Sequence, residues 1–254
     1  MKLSYKKYGE GQPLLIFHGL FGSGDNWTTH AKNWSNAGYS VYCIDQRNHG
    51  HSEHNQVMTY EAMAEDAIEF IAEHQLRDIL LLGHSMGGKT VLHLAEQIPF
   101  LISKMIVVDM GIKAYPPHHG AVFEALNSLS VESLKSRGEA EEHMKKSSLD
   151  SATQLFLLKN LYWKSPEQLA WRFNLPVLQE QINNILMGFD GKITDIETLF
   201  IKGGHSNYIL TEDIPEIKKS INQAAFKTLD RSGHWPHAEE PQLFYETVLD
   251  FISN

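Results

Sequence analysis

Leu80-Leu81-Leu82-Gly83-His84-Ser85-Met86-Gly87-Gly88-Lys89-Thr90 decides how the rest of the chain is read. An aliphatic run enters Gly-His-Ser-Met-Gly, and a helix-compatible segment leaves it at once. G-x-S-x-G between a strand and a helix describes a very tight turn that lifts a serine hydroxyl above the edge of a sheet. Gly83 and Gly87 leave room for the two elements to meet, and Ser85 between them is expected in a strained backbone conformation. Met86 opens the helix, where its backbone N–H can face a developing oxyanion. The competing reading is a chance match in a loop. The aliphatic run before the motif and the second glycine after it argue against chance.

Outward from this turn, short apolar runs alternate with helical patterns, which predicts a mostly parallel sheet covered by helices on both faces. Strands are expected at Leu3–Tyr8, Pro13–His18, Ser40–Asp45, Ile79–Gly83, Lys104–Asp109, Thr198–Lys202 and Phe226–Asp230, in a sheet of about eight. From Gly111 to about Gly191 the alternation stops. Only helical patterns are read there, at Ala121–Leu129, Val131–Lys146, Ser151–Leu158 and Pro166–Met187. The expected organisation is an α/β core, residues 1–110 and 192–254, with a helical cap of residues 111–191 inserted in it. No Gly/Ser linker isolates the cap, so one compact domain is expected.

Composition narrows the function classes. The 254 residues are enough for one sizeable core. A net charge of −9, with no basic run, disfavours nucleic acid and anionic membranes as partners. The single cysteine, Cys43, cannot form an internal disulfide and lies in an apolar run, as a buried strand thiol would. The start of the chain is too polar for a signal peptide, and no apolar run is long enough to span a bilayer, so a soluble cytoplasmic protein is expected.

Serine is a poor nucleophile near neutral pH and needs a general base, itself oriented by an acid. The expected chain order is Ser, then Asp or Glu, then His in the loop after the last strand. His234 stands there in Ser232-Gly233-His234-Trp235, with His237 as the alternative. For the acid, the loop after the strand that follows the cap reads Gly203-Gly204-His205-Ser206-Asn207-Tyr208 and holds no carboxylate. Asp109, closing the apolar run Met105–Val108, is the preferred acid, because a carboxylate there is costly to bury without a partner. Asp213 and Asp230 are the weaker alternatives.

The second oxyanion donor is expected from His18-Gly19-Leu20-Phe21-Gly22, with Leu20 offering its N–H beside that of Met86. The polar loop Asp45-Gln46-Arg47-Asn48-His49-Gly50-His51-Ser52 reads as a structural turn, with ordering of the oxyanion loop by Arg47 or His49 as the alternative. Phe21, His84, Trp171, Tyr208 and Trp235 are the candidate walls of a substrate pocket. No grouping has convincing metal-ligand spacing, and the mechanism needs no cofactor; His118-His119 after two prolines reads as a solvated loop.

Taken together these residues resemble the α/β-hydrolase superfamily, and within it the YbfF-type esterases and their mitochondrial relatives. G-H-S-M-G-G is shared by many hydrolases. D-x-R-N-H-G-x-S at residues 45–52 with Trp171-Arg172-Phe173-Asn174 is much narrower. In that group the acid follows the strand before the cap, in agreement with Asp109. The resemblance implies a small-molecule substrate, a carboxylic ester or an acyl-CoA thioester. Three rivals carry the same residues: a lyase or synthase of the menaquinone-pathway type, a ligand-binding protein with a hydrolase-like pocket, and a hydrolase of carbon–carbon bonds that uses the same triad.

Overall fold

The computed structural model describes residues 1–254. The central sheet takes β1 (Tyr5–Tyr8), β2 (Gln12–Phe17), β3 (Tyr39–Ile44), β4 (Ile79–His84) and β5 (Ile102–Val108) before a long insertion. The insertion holds its own hairpin, β6 (Leu161–Ser165) and β7 (Gln168–Trp171), and β8 (Glu197–Gly203) and β9 (Ala224–Leu229) then return to the sheet. Helices α1 (Thr28–Asn36), α2 (Tyr60–Glu73) and α3 (Met86–Gln97) link the early strands. The insertion carries α4 (Gly120–Asn127), α5 (Arg137–Met144), α6 (Ser151–Leu158), α7 (Leu175–Glu180) and α8 (Ile182–Leu186). The chain closes with α9 (Ile214–Ser220), α10 (Pro236–Glu239) and α11 (Pro241–Ser253).

The sheet has seven strands, against about eight expected, in the order β1-β3-β2-β4-β5-β8-β9. Only β1 runs antiparallel. Its buried strands are apolar on both faces, as a sheet covered by helices requires. Successive side chains point to opposite faces, so Leu15, Phe17 and Leu81 pack with α2, α3 and α9, while Leu14, Ile16 and Leu80 pack with α1 and α11. Cys43 is buried in β3, where burial pushes its thiol up to about 12. No helix is long and apolar enough to cross a membrane.

The insertion corrects one expectation. It is not all helical: β6 and β7 form an antiparallel hairpin, β7 falling within the span read as helix from Pro166, and the following helix is two short pieces, α7 and α8. A proline suits the second position of a turn as well as the first turn of a helix. The insertion has no core of its own. Phe123, Leu126, Leu157, Phe173 and Leu178 pack with Phe21, Met58, Met63 and Met86 from below.

Strand register sets the site. Phe17 pairs with Gly83, His84 with Val108, Val108 with Ile201, and Gly203 with Leu229. The loops leaving β2, β4, β5, β8 and β9 therefore emerge side by side along one edge. The path crosses from β3, on one side of β2, to β4 on the other, which is where ligands bind in open α/β sheets.

Candidate active site

Ser85 occupies the turn between β4 and α3 with φ 51° and ψ −118°. Any side chain at Gly83 would lie 2.1 Å from the Gly87 carbonyl oxygen, and one at Gly87 would lie 2.1 Å from that of Phe17. Both positions must be glycine for the turn to close. The Ser85 N–H donates to the Val108 carbonyl at 3.0 Å, and the Ser85 carbonyl accepts from the Gly88 N–H at 2.8 Å.

Asp109 leaves β5 next to this turn. It is fully buried, in a left-handed conformation (φ 46°), with its N–H bonded to the Ile201 carbonyl at 2.7 Å. Its Oδ1 accepts the Gly203 N–H at 2.9 Å. Its Oδ2 accepts the Ser206 hydroxyl and lies 2.8 Å from His234 Nδ1. His234 Nε2 is 3.0 Å from Ser85 Oγ. With Nδ1–H donating to the carboxylate, Nε2 keeps a lone pair for the serine hydroxyl. The absence of a carboxylate after β8 now has a reason. That loop supplies donors, Gly203 N–H and Ser206 O–H, to a carboxylate on the neighbouring strand.

One aromatic stack and one hydrogen bond to its backbone hold His234. Tyr208 stacks on it at 4.0 Å between ring centres, 18° from parallel. The Tyr208 hydroxyl lies 2.8 Å from His118 Nε2, and burial pushes it up to about 12, so it stays protonated and donates. His84 Nε2–H donates to the backbone carbonyl of His234 at 2.8 Å. Burial, helped by repulsion from His234, lowers His84 to about 3, so it is a neutral donor.

The loop after β2 is held from both sides. Phe21, at φ 59°, donates its N–H to His49 Nε2 at 3.1 Å, and its carbonyl accepts from Asn160 Nδ2 at 2.8 Å. His49 Nδ1–H donates to the Arg47 carbonyl at 2.9 Å, and Arg47 makes a bidentate pair with Asp66 at 2.6 and 2.8 Å. His18 accepts the Gln46 N–H at 3.0 Å. Burial lowers His18 to about 4, and burial with the neighbouring His18 lowers His49 to about 3. Both rings remain neutral, as an acceptor nitrogen must. The N–H groups of Leu20 and Met86 have no acceptor within the protein.

A family model described as alpha/beta hydrolase fold matches residues 12–241. The chain belongs to the α/β-hydrolase fold family. Escherichia coli esterase YbfF is 31% identical over 243 residues, covering 95% of this chain and 93% of the relative. The Danio rerio sn-1-specific diacylglycerol lipase ABHD11 is 33% identical over 253 residues, covering 96% of this chain and 79% of the relative. Among solved structures, a marine microorganism esterase matches at 38% identity with a TM-score of 0.95, covering 98% of this chain and 99% of that one. By this kinship the chain is a carboxylic ester hydrolase of the α/β-hydrolase family, and the resemblance read from its motifs is borne out.

Within this α/β-hydrolase framework, a cavity of about 100 Å³ lies over Ser85. Phe21, His84, Tyr208 and Trp235 line it, together with Leu20, Val122, Phe156 and Leu157. Trp171 does not. It belongs to β7 of the hairpin and stacks on Phe173, which in turn meets Phe21, so it supports the pocket from behind. The other candidates fall elsewhere. Asp213 pairs with Lys113 at 2.6 Å, Asp230 is exposed, and His237 lies flat against Trp27 at 4.4 Å. No three His, Cys, Asp or Glu side chains converge closely enough to hold a metal ion.

Asn160 and Ser206 were not assigned contacts from the sequence, and for Asn160 no local signal exists. For the D-x-R-N-H-G-x-S and W-R-F-N motifs the signal was there. They form one contact: Asn174 donates its N–H to the Asn48 carbonyl at 2.9 Å and its amide to Asn48 Oδ1 at 3.1 Å. The polar loop is thus the fastening between core and insertion, as well as the support of the Phe21 turn.

Proposed function

We propose that the protein cleaves carboxylic esters, and acyl-CoA thioesters by the same chemistry, through an acyl-enzyme on Ser85. His234 takes the proton from Ser85 Oγ as the oxygen attacks the substrate carbonyl. Asp109 fixes the tautomer of His234 and stabilises the imidazolium that forms. The N–H groups of Leu20 and Met86 receive the oxyanion, and loss of one such donor costs about 3 kcal/mol of transition-state stabilisation. His234 then protonates the leaving alcohol or thiol. Water then attacks the acyl carbon as it gives a proton to His234, the bond from Ser85 Oγ to that carbon breaks, and His234 returns the proton to Oγ as the acid leaves.

The single observation that carries this reading is the bridging of His234, 3.0 Å from Ser85 Oγ and 2.8 Å from Asp109 Oδ2. The free oxyanion donors beside Ser85 agree with it. The test is hydrolysis of a p-nitrophenyl ester by Ser85→Ala and His234→Ala, with folding checked by circular dichroism. Both are expected to lose turnover while folded. Full turnover by folded Ser85→Ala protein would refute the mechanism.

A further inference from the structure

We propose that the cavity over Ser85 is an acyl pocket that ends at about four carbons, by the volume of about 30 Å³ that a water-sized group occupies. The insertion sets the limit through Val122, Phe156 and Leu157, and the leaving group lies outside, in a larger groove across His234. This rests on Ser85 being the nucleophile.

Two of the spaces that border His234 differ in size and character. The cavity over Ser85 has a volume of about 100 Å³. The groove lined by Tyr115, His118, Asn207, Tyr208 and His234 has about 710 Å³. Around 100 Å³ holds three or four non-hydrogen atoms, roughly a butyryl chain once its carbonyl oxygen sits between Leu20 and Met86. A bulky alcohol or thiol exceeds the cavity but fits the groove, which His234, its proton donor, also lines.

The pocket's walls cannot recede freely. Phe21 is fixed at its N–H by His49 and at its carbonyl by Asn160. Its ring sits edge-on between Phe123 at 5.8 Å and Phe173 at 5.0 Å. Leu157 is 1% exposed and packed in the cluster that joins insertion to core. Phe156 meets Trp235 at 5.7 Å and closes the side toward the base. Close-packed apolar walls of this kind resist an added methylene, because overpacking displaces side chains from their rotamers.

The test uses the intact enzyme with p-nitrophenyl acetate, propionate, butyrate, hexanoate and octanoate, which share one leaving group. kcat/KM is expected to hold through butyrate and to fall about tenfold or more at hexanoate, since one methylene in an apolar pocket discriminates by about 10–200-fold. Phe156→Ala and Leu157→Ala should each raise the octanoate-to-butyrate ratio by about tenfold, and Val122→Phe should lower the butyrate-to-acetate ratio by as much. Phe156 and Val122 are only half-buried, so these two variants stand if Leu157→Ala fails to fold. A kcat/KM that rises from butyrate to octanoate overturns the proposal, as do unchanged ratios in folded Phe156→Ala and Val122→Phe. Hydrolysis at every length with a different chain preference leaves the serine mechanism intact. No hydrolysis at any length overturns both.

Discussion

The imidazole of His49 accepts the backbone N–H of Phe21 at 3.1 Å, joining the loop after β3 to the loop that carries the Leu20 donor. Replacing His49 by Phe removes the acceptor and keeps the ring. Outright loss of an oxyanion donor costs about 10²–10³ in kcat, and displacing one should cost about 10–100-fold with KM little changed. His49→Gln should recover part of the loss. Steady-state kinetics of the two variants checks this, and a kcat within twofold of wild type for His49→Phe would show that the loop orders itself.

Buried neutral histidines make the fold sensitive to acid. His18, His49 and His84 have pKa values lowered by burial to about 4, 3 and 3. In the unfolded chain each titrates near 6.5, so below that pH the unfolded state binds more protons. Their contribution is complete above about pH 6.5 and is lost as pH falls toward 4 and 3. At pH 5 each opposes folding by about 2 kcal/mol, against a total stability of about 5–15 kcal/mol for a typical protein. Denaturant midpoints should drop steeply between pH 6.5 and 4.5. A flat profile there would contradict the assignment of neutral, buried rings.

Lys89, four residues after the nucleophile, acts with the same sign in an alkaline window. It is fully buried, and its ammonium donates to the carbonyls of Lys113 and Met187 at the two ends of the insertion. No carboxylate pairs with it, and burial lowers it to about 7. Between about pH 7 and 10.5 the unfolded chain holds this proton more firmly, so stability from Lys89 rises with pH. Chemical denaturation from pH 7 to 9 should show a rise of about 1 kcal/mol per pH unit. Lys89→Met should lack it. The same slope in wild type and Lys89→Met would place the cause elsewhere.

The acid is tested by comparison. Asp109→Asn should lower kcat by about 10³–10⁴-fold, because the tautomer of His234 is no longer fixed. Asp213→Asn and Asp230→Asn should leave kcat within a few-fold. A large loss confined to either of these would reassign the acid.

What the sequence made legible was local or ordered by chain position. The Ser85 turn is written within five residues, and His234 is marked by its place after the last strand. Asp109 needed two steps: the missing carboxylate at Gly203–Tyr208, and the cost of an acid closing an apolar strand. Trp171 lies behind the pocket because it sits in a hairpin the sequence does not announce: the strands are short, and Trp163–Ser165 at the end of β6 and the connecting Pro166 and Glu167 are all exposed, so no alternation of apolar residues marks them. The grip of Asn160 on the Phe21 carbonyl spans 139 residues and depends on where the insertion folds back. No pattern near either residue encodes that distance.

The central claim is that Ser85 becomes acylated. The most direct measurement is mass spectrometry of the protein quenched in acid during turnover of p-nitrophenyl acetate, with peptide mapping of the adduct. An acetyl group on the peptide containing Ser85, absent in Ser85→Ala and accumulating when His234→Ala or Asp109→Asn slows its release, is the predicted result. Rapid turnover with no adduct, or an adduct carried by another residue at a competent rate, would contradict it.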